Sequence, residues 1–122
     1  MALHNELGKQ GERLAAQFLK EKGYRILEIN WRYYKNEVDI IALDGEVLVI
    51  AEVKTRRTAY FGNPEDAVTP AKANRLISAA EGYLEEKNLD LEVRYDIISI
   101  ILSDKIEEIY HIKDAFFPAD FA

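Results

Sequence analysis

The runs Ile40-Ile41-Ala42-Leu43 and Glu46-Val47-Leu48-Val49-Ile50 flank Asp44-Gly45, and charged residues sit inside the same strand-forming stretches: Glu37 and Asp39 on one side, Glu52 and Lys54 on the other. Apolar β-formers around a dipeptide that tolerates positive φ predict a tight hairpin. A turn at Asp44-Gly45 pairs Leu43 with Glu46, Asp39 with Ile50 and Glu37 with Glu52, so that Asp39 and Glu52 become diagonal neighbours roughly 7–8 Å apart. Strict alternation then puts Glu37, Asp39, Ile41 and Leu43 on one face with Leu48, Ile50, Glu52 and Lys54. Three acids and a lysine converge at one end of that face. Such groups are costly to bury uncompensated, and a metal ion is the leading compensation.

Charge along the chain supports a site there. Residues 1–36 hold seven Lys/Arg and four Asp/Glu, residues 37–53 hold five acids and no base, and residues 81–122 carry eleven acids against four bases. Between the last two lie Lys54, Arg56, Arg57, Lys72 and Arg75. An acidic centre bordered by basic segments suits a metal that must also hold a polyanion, whereas the net charge of -6 argues against a generic nucleic-acid coat protein. With no cysteine, disulfides and thiolate metal sites are excluded. No apolar run approaches membrane-spanning length and no signal-type segment opens the chain, so a soluble cytoplasmic protein without a membrane partner is expected. At 122 residues, one domain spanning 1–122 is expected.

The spacing of Leu3, Leu7, Leu14, Ala15 and Phe18 predicts a helix over 3–22, stopped by Gly23. Glu12 lies at the edge of its apolar arc among Gly8, Ala15, Ala16 and Leu19, small neighbours that let this side approach a sheet. Residues 24–31 read as a strand before the hairpin. Thr69 and Pro70 predict the start of a second helix through about Lys87, and residues 93–102 and 106–112 read as two more strands. The expectation is an α/β fold of order α-β-β-β-α-β-β, with a mixed sheet flanked by helices and the fourth strand parallel to the third after a helical crossover. The connection 56–69, with Tyr60, Phe61, Gly62 and Pro64, is longer than most loops in a compact domain. The tail after Asp114 is expected to form a short turn or helix.

With Glu37-Val38-Asp39-Ile40-Ile41 followed by Glu52-Val53-Lys54, and with Gly11-Glu12, Gly23-Tyr24, Asn30-Trp31-Arg32, Arg56, Phe61-Gly62, Lys72 and Arg94-Tyr95-Asp96 in order, the chain resembles the PD-(D/E)xK nuclease superfamily. More narrowly, it resembles the YraN-like family of uncharacterised bacterial proteins, described as predicted endonucleases distantly related to archaeal Holliday junction resolvases. The resemblance implies a restriction-endonuclease-like fold and a Mg²⁺- or Mn²⁺-dependent endonuclease hydrolysing DNA, on branched or processed substrates. It implies Asp39 and Glu52 as metal ligands, the Val53 carbonyl as a further donor, Lys54 at the scissile phosphate or attacking water, Glu12 supporting the metal, and Glu37 as a nearby acid. Val38 stands where a proline often precedes the aspartate in the superfamily.

The residue types fit this chemistry. Mg²⁺ takes hard oxygen ligands, often one or two carboxylates plus substrate phosphate, and a lysine beside it stabilises developing negative charge. Arg56, Arg57, Lys72 and Arg75 would supply positive charge for a DNA backbone, against the plainer reading of solvated charges. Tyr33, Tyr34, Tyr60 and Phe61 could stack on bases, although loop aromatics more often cover a core. His4 and His111 have no motif around them. No phosphate-binding glycine loop, His-Glu-x-x-His zinc motif or nucleophile elbow is present. The alternative to a nuclease is a non-catalytic nucleic-acid-binding or protein-interaction module on the same fold; a homodimer is left open.

Overall fold

A computed structural model describes residues 2–58 and 68–121, and the expected loop aromatics Tyr60 and Phe61 lie outside the described residues. Its elements follow the order α1 (Ala2–Glu21), β1 (Arg25–Tyr33), β2 (Asn36–Asp44), β3 (Val47–Arg56), α2 (Pro70–Glu86), β4 (Glu92–Leu102) and β5 (Glu107–Phe116), with a 3-10 turn at Pro118–Phe121. This is the expected α-β-β-β-α-β-β arrangement. The sheet runs β1-β2-β3-β4-β5. All neighbours are antiparallel except β3 and β4, which the α2 crossover makes parallel. No helix among the described residues is long and apolar enough to cross a membrane.

The helices cover opposite faces of the sheet. On one, Ala73, Leu76, Ala79, Ala80 and Tyr83 of α2 pack with Val38, Ile41, Leu48, Ile50 and Tyr95. On the other, Ala15, Ala16 and Leu19 of α1 pack with Ile40, Ala42, Val49, Ala51, Ile98 and Ile100. The small residues of α1 do what their size predicts: a Cβ on Gly11 would collide with the Thr55 side chain, so the absence of one lets the helix lie directly on β3. Gly23, at φ 93°, closes α1 while the N–H of Tyr24 donates to the carbonyl of Leu19 at 2.9 Å. Helix α2 begins as expected, with the Thr69 hydroxyl accepting from the Lys72 N–H and Pro70 in the first turn.

Two details of the hairpin differ from expectation. Asp44 pairs with Val47 and Leu43 with Leu48, so the turn residues are Gly45 and Glu46, with Gly45 taking the positive φ of 62°. The pairing moves by two residues, which preserves parity; continued past its last pair, Ile40–Ala51, it would set Asp39 opposite Glu52 rather than diagonal to it. Strict alternation also fails near Asp39. Val38 joins the α2-side core with Ile41, whereas Ile40 joins the α1-side core. On the neighbouring strand, Asn30 adopts φ 54°, a left-handed conformation that breaks the pleat of β1 at the same level.

Candidate functional site

Asp39 sits where β2 and β3 separate. Their ladder ends at Ile40–Ala51, and the next inward N–H, that of Val53, donates to Asp39 Oδ2 at 2.8 Å. A carboxylate thus occupies the place of a strand partner and is held there by the backbone. Glu52, one residue earlier on β3, is only 7 % exposed. Its Oε1 stands 2.5 Å from Lys72 Nζ on the first turn of α2. Lys54, half-buried on β3, is near enough to Lys72, Glu52 and Asp39 for their charges to act on it. One end of the sheet therefore gathers Asp39, Glu52, Lys54 and Lys72.

The electrostatics follow from crowding. Burial, the Glu52 carboxylate and Glu12 push the Asp39 acid from 3.8 up to about 7, against the opposing pull of the Val53 N–H and Lys72. Burial and the neighbouring Lys72 ammonium lower the Lys54 pKa. For Lys72, burial works downward, but its contact with the Glu52 carboxylate outweighs it and the pKa rises. Acids held near one another beside basic side chains shift in this way both in ligand sites and in structural ion-pair networks.

The other expected site residues lie around this cluster or away from it. Glu12 is near enough to act on Asp39, yet its Oε1 accepts from Asn30 Nδ2 at 3.2 Å. Among the described residues no three His, Asp or Glu side chains form a group that could cage a metal. Glu37 is paired with Arg32 at 3.3 Å across the β1–β2 ladder, not with Glu52. Lys72, expected to supply positive charge for a DNA backbone, is paired with Glu52, which sets aside the plainer reading of a solvated charge. Arg56 closes β3, and Arg57 and Arg75 are exposed. Tyr33 is partly buried against the α2-side core, while Tyr34 is 85 % exposed at the hairpin tip.

The donors that do meet suit a hard cation. Asp39 and Glu52 offer two carboxylates, matching the number Mg²⁺ commonly takes from protein when phosphate and water complete its shell. They do not suit zinc: no histidine or cysteine belongs to the set.

A second polar cluster joins Arg94 and Asp96, which entered the sequence reading only through the family resemblance, to His111, around which no motif was found. Asp96 on β4 is 1 % exposed and accepts from Arg94 Nε and Nη2, both at 2.9 Å. His111 Nε2 lies 2.7 Å from its Oδ2, and the Asp114 N–H donates to Oδ1 at 3.2 Å. Arg94 continues to Asp44 and to the Tyr24 hydroxyl, each at 2.8 Å, and Lys22 Nζ lies 3.2 Å from His111 Nδ1. The network ties the end of α1, the β2–β3 hairpin, β4 and β5 together. Its signal was present: Arg94 and Asp96, two apart in a strand of β-branched residues, share a face and so require partners.

Comparison with known proteins agrees on family. Residues 11–100 match the model of the uncharacterised protein family UPF0102. The chain is 56 % identical over 117 residues to a UPF0102 protein of Christiangramia forsetii, covering 96 % of this chain and 98 % of that one. It is 48 % identical over 118 residues to one from Phocaeicola vulgatus, covering 97 % and 98 %. With that coverage, end to end in both relatives, the chain belongs to the UPF0102 family.

Proposed function

We propose that the chain is a Mg²⁺- or Mn²⁺-dependent endonuclease that hydrolyses phosphodiester bonds in DNA, with branched or processed DNA as its substrate class. The observation that carries this reading is the meeting of Asp39 and Glu52 at the opened end of β2 and β3, with Lys54 beside them and the Asp39 pKa driven up to about 7. Asp39 and Glu52 would hold the ion, with the Val53 carbonyl as a further donor. A bound ion would supply polarisation of a phosphoryl oxygen and a more acidic water. Lys54 would set its side chain against the charge that develops on the phosphate. Asp39 would be kept in place by the Val53 N–H, so little reorganisation would accompany the reaction.

A non-catalytic nucleic-acid-binding or protein-interaction module is the second reading, and the Lys72–Glu52 contact favours it, since an internal ion pair already neutralises the more buried acid. One experiment separates the two. Purified protein is incubated with duplex, single-stranded, flapped and four-way DNA, with Mg²⁺ or Mn²⁺, beside Asp39→Ala and Lys54→Ala. Metal-dependent cleavage lost in both variants supports the nuclease; binding without cleavage under every metal supports the module.

A further inference from the structure

We propose that Lys72 and a divalent cation are alternative occupants of Glu52, so that binding of the ion expels the Lys72 ammonium from the carboxylate into solvent. The inference rests on the metal-dependent reading above and adds to it a built-in competitor.

Lys72 Nζ is 2.5 Å from Glu52 Oε1, and the two side chains are 23 % and 10 % exposed. Mg²⁺ binds its oxygen ligands at roughly 2.0–2.1 Å. An ion on the Glu52 carboxylate would therefore stand close against an ammonium already touching it. Little water screens the pair, and like charges in such a place repel strongly.

Charge counting points the same way. Asp39, Glu52 and Glu12 bring at most three negative charges, and Lys54 and Lys72 already offset two. A dication added with both lysines in place overshoots neutrality; with Lys72 withdrawn, ion and Lys54 together balance the acids. Of the two lysines, Lys72 is free to leave. Its backbone is fixed by the Thr69 cap at 3.2 Å, while its side chain starts from the first turn of a surface helix and already reaches solvent. Breaking the contact needs only rotation about side-chain bonds, with no movement of α2. Lys54, in contrast, lies within β3, its backbone held in register with Ser99 of β4. The released Lys72 is then available to a substrate phosphate.

The test measures metal binding, not cleavage. Mn²⁺ is titrated into the full chain, into Lys72→Met and into Asp39→Asn, with free Mn²⁺ read by electron paramagnetic resonance. Folded Lys72→Met is expected to bind Mn²⁺ at least about fivefold more tightly than wild type; an unchanged or weakened affinity overturns the proposal. Wild type supplies an independent measurement should the variant not fold. Acylation of Lys72 by an N-hydroxysuccinimide ester, followed by mass spectrometry against the exposed Lys105, is expected to quicken at least threefold at saturating Mn²⁺. Unchanged or slower labelling overturns the proposal. If wild type binds Mn²⁺, Asp39→Asn does not, and Lys72→Met is no tighter, this inference falls and the metal site stands. If neither wild type nor Lys72→Met binds Mn²⁺, both fall.

Discussion

Asp39 takes the position of a strand partner for Val53: its Oδ2 accepts the Val53 N–H at 2.8 Å just beyond the last β2–β3 pair. The backbone of the strand bearing Glu52 and Lys54 fixes this carboxylate, so the spacing of all three is set by the sheet itself.

That placement has a pH signature. The Asp39 acid lies at about 7 in the folded chain against 3.8 ordinarily, raised first by burial and then by Glu52. Between those values the folded chain holds a proton that the unfolded chain has released. Stability from this group is therefore lost as pH rises from 3.8 to about 7, and the penalty persists above. Asp39→Asn retains an acceptor for Val53 and removes the charge. Its thermal midpoint should exceed that of wild type by roughly 2–8 °C at pH 8, on the usual conversion of about 1 kcal/mol, and by much less at pH 5. Melting curves showing the same difference at both pH values would contradict the assignment.

The Asp96 network behaves in the opposite sense. Burial alone would raise the Asp96 pKa, but the bonds from His111 and Arg94 outweigh it and hold the acid below its ordinary 3.8. Its contribution is complete above pH 3.8 and is lost as pH falls through the lower folded value. Removing one partner of a buried, bonded ion pair costs about 3–5 kcal/mol. Asp96→Ala should lose that amount in denaturant unfolding at pH 7, and the loss should shrink on acidification below pH 3.8. A surface-like cost under 0.5 kcal/mol at pH 7 would show that the network carries little stability.

Contact between α1 and β3 gives a third prediction. Alanine is a better helix former than glycine by about 1 kcal/mol, yet a Cβ at Gly11 meets the Thr55 side chain. Overpacking of this kind costs about 1–3 kcal/mol, so Gly11→Ala should destabilise. Adding Thr55→Ala should recover most of the loss, because the clash is with that side chain. A double-mutant cycle measured by denaturant unfolding reads the coupling directly; strict additivity would remove the steric explanation.

These residues also show what a sequence makes legible. The order of elements followed from periodicity and punctuation: Gly23 stops α1, Thr69-Pro70 starts α2, and β-branched runs mark the strands. The hairpin was located but its turn was displaced from Asp44-Gly45 to Gly45-Glu46, because Gly45 supplies the needed positive φ in either register. Asp39 and Glu52 still act on each other after that shift, although alternation fails beside Asp39 and parity alone does not place it. Departure of Val38 from alternation was hidden because it arises beside Asn30, whose left-handed backbone belongs to another strand. The pairings Lys72–Glu52 and His111–Asp96 join residues 20 and 15 positions apart through tertiary packing, which local patterns do not encode. Glu37 illustrates the same limit: its partner Arg32 is fixed by the β1–β2 ladder, not by the acidic run around it.

The last prediction separates DNA binding from chemistry and depends on the proposed nuclease reading. Arg57 and Arg75 are exposed and lie on the segments that border the acids, so their expected partners are backbone phosphates. Each phosphate contact contributes about 0.9 to the slope of log affinity against log salt on duplex DNA. Arg57→Gln with Arg75→Gln should weaken binding at low salt and flatten that slope by about 1–2 in fluorescence anisotropy titrations, if each arginine makes one such contact. Lys54→Ala should leave the slope within about one contact of wild type and abolish metal-dependent cleavage, because its proposed place is at the reacting phosphate. A Lys54→Ala protein that still cleaves at the wild-type rate would remove Lys54 from the chemistry, while an unchanged salt slope in the double arginine variant would move the DNA path to another face of the sheet.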